Sequence, residues 1–370
     1  MTFRRTMGLF MLLAVLALVC AGCSDDDKAV TNTSNGGLDI QLSDYGALVR
    51  AVAPAVFTEP AVTKPHIIGQ ALAYEDWVGG DWPILGKVFS DDEPMALYRN
   101  LDDLDMIVSW VNGALESGGG SYWVDVPDDA EFDSMQVSAT ITELTEATTI
   151  PTQCQAGIGA TSLDLDYLVE IGTGDSLGMT VNCGFKKTEQ YEMVLYFFTS
   201  DNAMQEQWPD AVESNLFYGY RDLATDSVQI RDVFYKDYTP DDDSSAAAWV
   251  YQINTVGGSN FFYRMSWYSC GEGAPTSVYS VIGGGNKDTE FAFRYMQFSP
   301  PTETAPDPED PYGNMVQVFD ADYGDAGTTL TTAYEALTDS TQVFLYDDFP
   351  TTLISNPLNV AEAMNPWYGR

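Results

Sequence analysis

The spacing of the hydrophobic residues changes at Gly118-Gly119-Gly120, and this change constrains the fold more than any other feature. Before the glycines, apolar residues recur at alternating steps of four and three, which places them on one stripe of an α-helix. These residues are Leu97, Leu101, Leu104, Val108, Val111 and Leu115. Ser90, Asp91 or Asp92 can cap the start of this helix. The pattern therefore predicts one long amphipathic helix over residues 90–117 that ends at the glycines.

After the glycines, apolar and polar residues alternate, which is typical of a half-buried antiparallel strand. The first such run, over residues 135–142, places Met135, Val137, Ala139 and Ile141 on one face. Further strands are predicted over residues 164–171, 178–185, 192–199, 216–221, 228–235, 249–254, 261–268, 278–282, 291–298, 315–319 and 343–346. Short additional helices are expected over residues 44–56 and 204–212.

The connections between the predicted strands are short and carry glycine, notably at residues 257–260, 271–273 and 283–286. Such segments suit tight hairpins, and no crossover helices intervene, so consecutive strands should pair antiparallel. The fold class predicted is α+β: a large antiparallel β-meander, as a half-barrel or curved sheet, packed on one long amphipathic helix. We expect a single domain over residues 38–350, mainly helix and loop up to residue 118 and mainly strands after it, followed by a tail over 351–370.

The N-terminus has the composition of an export signal. Arg4 and Arg5 precede an apolar run over residues 9–19 that is too short to span a bilayer. The sequence Cys20-Ala21-Gly22-Cys23 that follows resembles the lipobox of bacterial lipoproteins. That resemblance implies removal of residues 1–22, lipidation of Cys23 with acyl groups such as palmitate, and a flexible acidic tether over residues 23–37. Cys20 stands where the lipobox usually has Leu.

This resemblance also implies a location and a membrane partner. The protein is expected in the bacterial cell envelope, bound to the membrane through its lipid anchor. Ser24, rather than Asp, follows Cys23 and indicates the outer membrane. An ordinary secretory signal with two incidental cysteines is the alternative reading of these residues.

The chain is strongly acidic, with 55 Asp and Glu against 16 Lys and Arg. A net charge of −39 disfavours nucleic acid and anionic membrane surfaces as partners of the domain. A saline habitat and divalent-cation binding are two explanations for the excess of acid. No residues at metal-ligand spacing support the second explanation: the chain has one histidine, His66, and the acidic run from Asp320 fails the EF-hand pattern. No metal and no cofactor are predicted.

Three cysteines remain after lipidation of Cys23. In an exported protein, three cysteines predict one disulfide and one free thiol. Cys154 and Cys183 are expected to pair because they lie close to neighbouring predicted strands, which leaves Cys270 free.

Candidate ligand contacts lie on two aromatic strands. Arg264 interrupts Phe-Phe-Tyr-Arg-Met, and Arg294 interrupts Phe-Ala-Phe-Arg-Tyr. If the two strands are close in the sheet, both guanidinium groups could hold a carboxylate, phosphate or lipid headgroup. Trp267 and Tyr295 complete the predicted contacts. The alternative is an exterior face on which the arginine stems cover aromatic rings or pair with acids.

Three functions are compatible with these features. The first is a non-enzymatic envelope lipoprotein that binds an apolar or amphipathic ligand or a protein partner. The second is a carbohydrate-active or other hydrolytic enzyme that uses paired carboxylates. The third is a purely structural surface lipoprotein. A large cavity would favour the first, a cleft with two facing acids the second, and a filled interior the third.

Overall fold

The structure is a computed structural model. It describes residues 37–53, 96–125, 134–173, 179–201, 212–237, 246–256, 259–270, 277–300, 314–320 and 363–369. The helices are α1 (Tyr45–Val52), α2 (Ala96–Ser117) and α3 (Gln155–Ile158), the last preceded by a 3-10 turn at Thr152–Cys154. The strands are β1 (Gly120–Asp125), β2 (Ser134–Glu143), β3 (Thr148–Thr149), β4 (Ser162–Leu163), β5 (Tyr167–Gly172), β6 (Met179–Lys187), β7 (Tyr191–Asp201), β8 (Val212–Asp222), β9 (Ser227–Asp237), β10 (Ala246–Val256), β11 (Asn260–Cys270), β12 (Val278–Asn286), β13 (Glu290–Phe298) and β14 (Asn314–Asp320).

Twelve of these strands form one antiparallel sheet in the order β1-β2-β5-β6-β7-β8-β9-β10-β11-β12-β13-β14. Each strand pairs with the next one in that order, and β3 and β4 form a small separate hairpin. The prediction of a large antiparallel sheet, formed by consecutive strands of a chain with few helices, is confirmed. The first strand, β1, lies outside the predicted strands.

The predicted hairpin between β12 and β13 is present, but its turn lies further along the chain than the glycines predicted. Gly283 and Gly285 lie inside β12, and the turn follows at residues 287–289. Gly283 pairs with Phe293, and a Cβ atom on Gly283 would lie 2.2 Å from the Phe293 ring. A glycine in the interior of a strand permits this close approach of a neighbouring ring.

The sheet buries side chains on both of its faces, because successive residues of each strand point in opposite directions. In β7, Val194 and Tyr196 join a hydrophobic cluster that also contains Tyr45 of α1 and Leu104 of α2. We call this side the first face. On the opposite side, the second face, Leu195 packs in a cluster with Ile158 of α3 and Trp367.

The two longer helices contribute to the first face. Asp44 caps α1 by accepting a hydrogen bond from the Ala47 N–H at 2.9 Å. At the end of α2, the Gly119 N–H donates to the Ala114 carbonyl at 3.0 Å, with φ of +86° at Gly119. The side chains of α2 that are fully buried or nearly so are Leu101, Leu104, Ile107, Val108, Trp110, Val111, Ala114 and Leu115.

Several sequence predictions fall outside the described residues. These are Cys23, His66, the helix over 204–212 apart from Val212, which begins β8, and the strand over 343–346.

Candidate functional site

Arg264 and Arg294 lie in one cross-strand row on the second face. Ile282 of β12 is the register partner of Arg264 on one side and of Arg294 on the other. Adjacent strands are about 4.8 Å apart, so the two arginine Cα atoms lie about 10 Å from each other. The same row continues through Gln252 of β10 to Arg231 of β9. We call Arg231, Gln252, Arg264 and Arg294 the arginine row.

Hydrogen bonds connect the members of this row that are closest to α3. Arg264 Nε donates to Gln252 Oε1 at 2.9 Å. With the Gln229 amide oriented so that its oxygen faces the surrounding donors, that oxygen accepts from Gln252 Nε2 at 3.0 Å and from Arg231 Nε and Nη2 at 2.8 Å. Arg231 Nη1 donates to the Ile158 carbonyl at 2.9 Å. Arg231, Gln229, Gln252 and Arg264 are therefore connected by side-chain hydrogen bonds across β9, β10 and β11.

Arg231 has an unusual electrostatic environment. Its guanidinium is half-buried, and this burial lowers the pKa of Arg231 from its ordinary value. The described residues place no carboxylate in an ion pair with it, and its polar partners are the Ile158 carbonyl and Gln229. Tyr218, its register partner in β8, has a pKa raised by burial, an effect that the neighbouring Arg231 opposes. Arg231 is therefore a half-buried cation without a counter-ion among the described residues.

Trp267 and Tyr295 do not join the arginine row. Trp267 is three residues from Arg264 and Tyr295 is adjacent to Arg294, so alternation places both rings on the first face. There they pack against each other with ring centroids 6.3 Å apart. The four predicted ligand contacts therefore lie on opposite sides of the sheet and do not form one site. Arg231 and Gln252 join the row through strand register, which the sequence pattern does not predict.

The predicted disulfide between Cys154 and Cys183 is wrong. Both thiols are free and fully buried. Cys154 belongs to the hydrophobic cluster of the second face and Cys183 to that of the first, so the sheet separates them. Burial raises the pKa of each thiol above its ordinary value.

A second candidate site is a cleft of about 520 Å³ between residues 41–44, α2 and β1. Asp44, Asp105, Glu116 and Trp123 are among its lining residues, and the Trp123 side chain is 67% exposed. The Asp44 carboxyl neighbours that of Asp105, and Arg50 pairs with Asp105. Burial, together with the neighbouring Asp44 carboxyl, raises the pKa of Asp105 to about 8, although Arg50 acts in the opposite direction.

Glycoside hydrolysis requires two carboxyl groups at a defined separation. The two carboxyl groups of a glycosidase lie about 5–5.5 Å apart in retaining enzymes and about 6.5–9.5 Å apart in inverting ones. Glu116 is eleven residues from Asp105 on α2, which corresponds to about 16 Å along the helix axis.

In the described part of the chain, no group of three or more His, Cys, Asp or Glu side chains could hold a metal ion. None of the described helices combines the length and hydropathy needed to cross a membrane. Comparison of the chain with family models, with curated proteins and with solved structures finds no match.

Proposed function

We propose that this protein is a lipid-anchored bacterial envelope lipoprotein, non-enzymatic, that binds an amphipathic ligand with an acidic headgroup on the second face. The observation that carries this proposal is Arg231, a half-buried guanidinium without a carboxylate partner among the described residues. Guanidinium groups bind carboxylates and phosphates through paired N–H donors. Arg264 lies two strands from Arg231, donates a hydrogen bond to Gln252, and supplies a second cation in the same row.

The surroundings of the row suit the apolar part of such a ligand. Tyr218 and Phe262 are half-buried side chains that pack against the hydrophobic cluster of the second face. Phe262 lies two residues from Arg264 on the same strand, and therefore on the same face. An acyl or alkyl chain would contact these rings while its headgroup faces the arginines.

The net charge of the protein restricts the form in which the ligand binds. A charge of −39 repels an anionic membrane surface, whereas a single carboxylate or phosphate interacts mainly with the cations closest to it. The ligand is therefore a single amphipathic molecule rather than a bilayer.

The architecture we propose for this function is a sheet curved as a half-barrel around α2, with α2 as its amphipathic central helix. Two observations support it. Leu101, Leu104 and Leu115 of α2 lie in the same hydrophobic cluster as residues of the sheet, and α2 contacts β1, β2 and β5.

Isothermal titration calorimetry with dodecanoate and dodecyl phosphate, each below its critical micelle concentration, tests ligand binding. We expect Arg231→Gln to weaken binding of both probes by about tenfold or more, because a hydrogen bond to a charged group contributes about 1.5–3 kcal/mol. The matched control is Lys186→Gln, which removes a cation that already pairs with Asp164 and Asp166. Equal affinity of the wild type and Arg231→Gln, or equal binding of uncharged dodecyl maltoside, contradicts the proposal.

The lipid anchor requires a separate test, because ligand binding does not depend on it. The charged start, the short apolar run and the small residues before Cys23 support lipidation of this cysteine. Two acyl chains already give stable membrane attachment. Cys23→Ser should release the protein from membranes or block its processing, and unchanged mass and membrane association would refute lipidation.

A structural surface lipoprotein is the second candidate. The observation in its favour is that both faces of the sheet carry packed hydrophobic clusters. Absence of binding to every amphipathic probe, with the fold intact, would favour this role.

A further inference from the structure

The side chain of Asn215 is fully buried on the first face, and neither atom of its amide has a hydrogen-bond partner among the described residues. Asn215 lies in β8 between two aromatic register partners, Phe198 of β7 and Phe234 of β9. Phe217, two residues further along β8, stacks on Phe198 with ring centroids 6.0 Å apart. The amide is therefore surrounded by aromatic rings that cannot replace its hydrogen bonds to water.

Trp249 repeats this arrangement one strand beyond Phe234. It is the register partner of Phe234 in β10, and the two rings stack with centroids 3.4 Å apart and an interplanar angle of 8°. Its indole Nε1–H is buried and also has no hydrogen-bond partner in the described part of the chain. Two polar groups without partners thus flank Phe234 in one cross-strand row.

Buried polar groups in native proteins are almost always hydrogen-bonded, so two unpartnered groups in one row require an explanation. The hydrogen-bonding groups without a described partner are two donors, Asn215 Nδ2 and Trp249 Nε1, and one acceptor, Asn215 Oδ1. A molecule that satisfies them must offer acceptors to the donors and one donor to the acceptor. An ammonium ion has no acceptor, and a carboxylate has no donor.

The charge nearby also disfavours an anion. Asp232 lies two residues before Phe234, on the same face, and is fully buried. A carboxylate or phosphate at Asn215 would be close to this acid. An uncharged group that carries both a carbonyl and an N–H, or a hydroxyl, meets every requirement.

We propose that Asn215 and Trp249 form a ligand site on the first face for a neutral molecule that carries an amide or hydroxyl group on an aromatic or apolar body. The amide or hydroxyl group hydrogen-bonds to Asn215 and Trp249, and the body packs against the rings of Phe198 and Phe234. This site is separate from the arginine row, which lies on the opposite face of the sheet.

Benzamide and benzyl alcohol are suitable probes, with toluene and benzoate as controls of the same shape. Ligand-observed NMR on the wild-type protein should show binding of the two neutral polar probes and at least tenfold weaker binding of toluene and benzoate. Asn215→Leu keeps a similar volume without the amide, and should lower the affinity for benzamide at least tenfold while leaving toluene unaffected. Trp249→Phe keeps the ring without the N–H, and should weaken benzamide binding less than Asn215→Leu does.

The melting temperature of the ligand-free proteins provides an independent measurement. Asn215→Leu should melt at the same or a higher temperature than the wild type, because it replaces an unpartnered buried amide by an apolar group. A lower melting temperature together with no benzamide binding would mean that an ordered water alone satisfies Asn215, and would overturn the proposal. Equal binding of benzamide by the wild type and Asn215→Leu would also overturn it. Arg231→Gln should not change benzamide binding, so the proposal for this site and the proposal for the arginine row are tested independently.

Discussion

The backbone N–H of Ser43 donates to the Oε1 atom of Glu192 at 2.8 Å, across 149 residues of chain. The Ser43 hydroxyl also donates to Oε2 of the same carboxylate, at 3.2 Å. Lys187 Nζ lies 2.8 Å from that Oε2 atom, and the Glu192 side chain is fully buried. This carboxylate therefore fixes the segment before α1 against the hairpin of β6 and β7.

Removal of the Glu192 charge should destabilise the protein. Glu192→Gln keeps the volume of the side chain but replaces one carboxylate oxygen by an NH₂ group, so it cannot accept all three hydrogen bonds. Bonds to charged groups contribute about 1.5–3 kcal/mol, and we expect a loss of that size in the free energy of unfolding measured with urea. The control is Glu189→Gln, an exposed position that should change stability by less than about 0.5 kcal/mol. Equal stability of the two variants would contradict this role of Glu192.

The sheet was predictable from sequence because it depends on local signals. Alternation and short turns are sufficient to identify β2 and β5–β14 and their antiparallel order. Register is not local, and it decides which side chains meet. Arg264 and Arg294 could be placed on one face by alternation, but Arg231 joins their row only when the pairing of β9, β10 and β11 is known.

The wrong predictions have the same origin. Cys154 and Cys183 are close to neighbouring strands in the sequence, yet they pack on opposite faces, which proximity in sequence does not reveal. Gly283 and Gly285 were predicted to form a turn because glycine is common in turns. Gly283 instead lies within a strand, where it permits the close approach of the Phe293 ring. The burial of Glu192 and Asn215 could not be predicted, because a polar residue in a strand usually indicates an exposed position.

Leu104 tests the contribution of α2 to the core. Its side chain is nearly fully buried in the cluster of the first face, so Leu104→Ala should leave a cavity and cost about 2–5 kcal/mol in the free energy of unfolding. Ser109→Ala is the matched control on the same helix, because Ser109 is exposed. It is a better control than Asp103, which is half-buried and makes polar contacts. Similar urea midpoints for the two variants would contradict the packing of α2 against the sheet.

The buried cysteines should be protected in the folded protein. Burial raises the pKa of the Cys154 and Cys183 thiols, which keeps them protonated, and the thiolate is the reactive form. Iodoacetamide at pH 8 should therefore label them only after unfolding in guanidinium chloride. Peptide mapping without reduction should find no Cys154–Cys183 link. A linked peptide, or rapid labelling of either thiol in the native protein, would refute the assignment of both as buried and free.

Asp105 should make stability depend on pH. Its pKa is about 8 in the folded protein, compared with 3.8 for an unperturbed aspartate, because burial and the neighbouring Asp44 carboxyl favour the protonated form. Between these two values, the unfolded chain has released the proton that the folded protein retains. The folded state then binds more protons, so the contribution of Asp105 to stability falls as pH rises from about 4 to about 8.

Asp105→Asn removes this titration while it keeps an oxygen that can accept from Arg50. Urea denaturation at pH 4, 6 and 8 should show that Asp105→Asn gains stability relative to the wild type as pH increases, with the largest gain at pH 8. Asp39→Asn, at an exposed position, should show no such trend. A difference between Asp105→Asn and the wild type that stays constant over this range would mean that the folded protein does not retain the proton on Asp105.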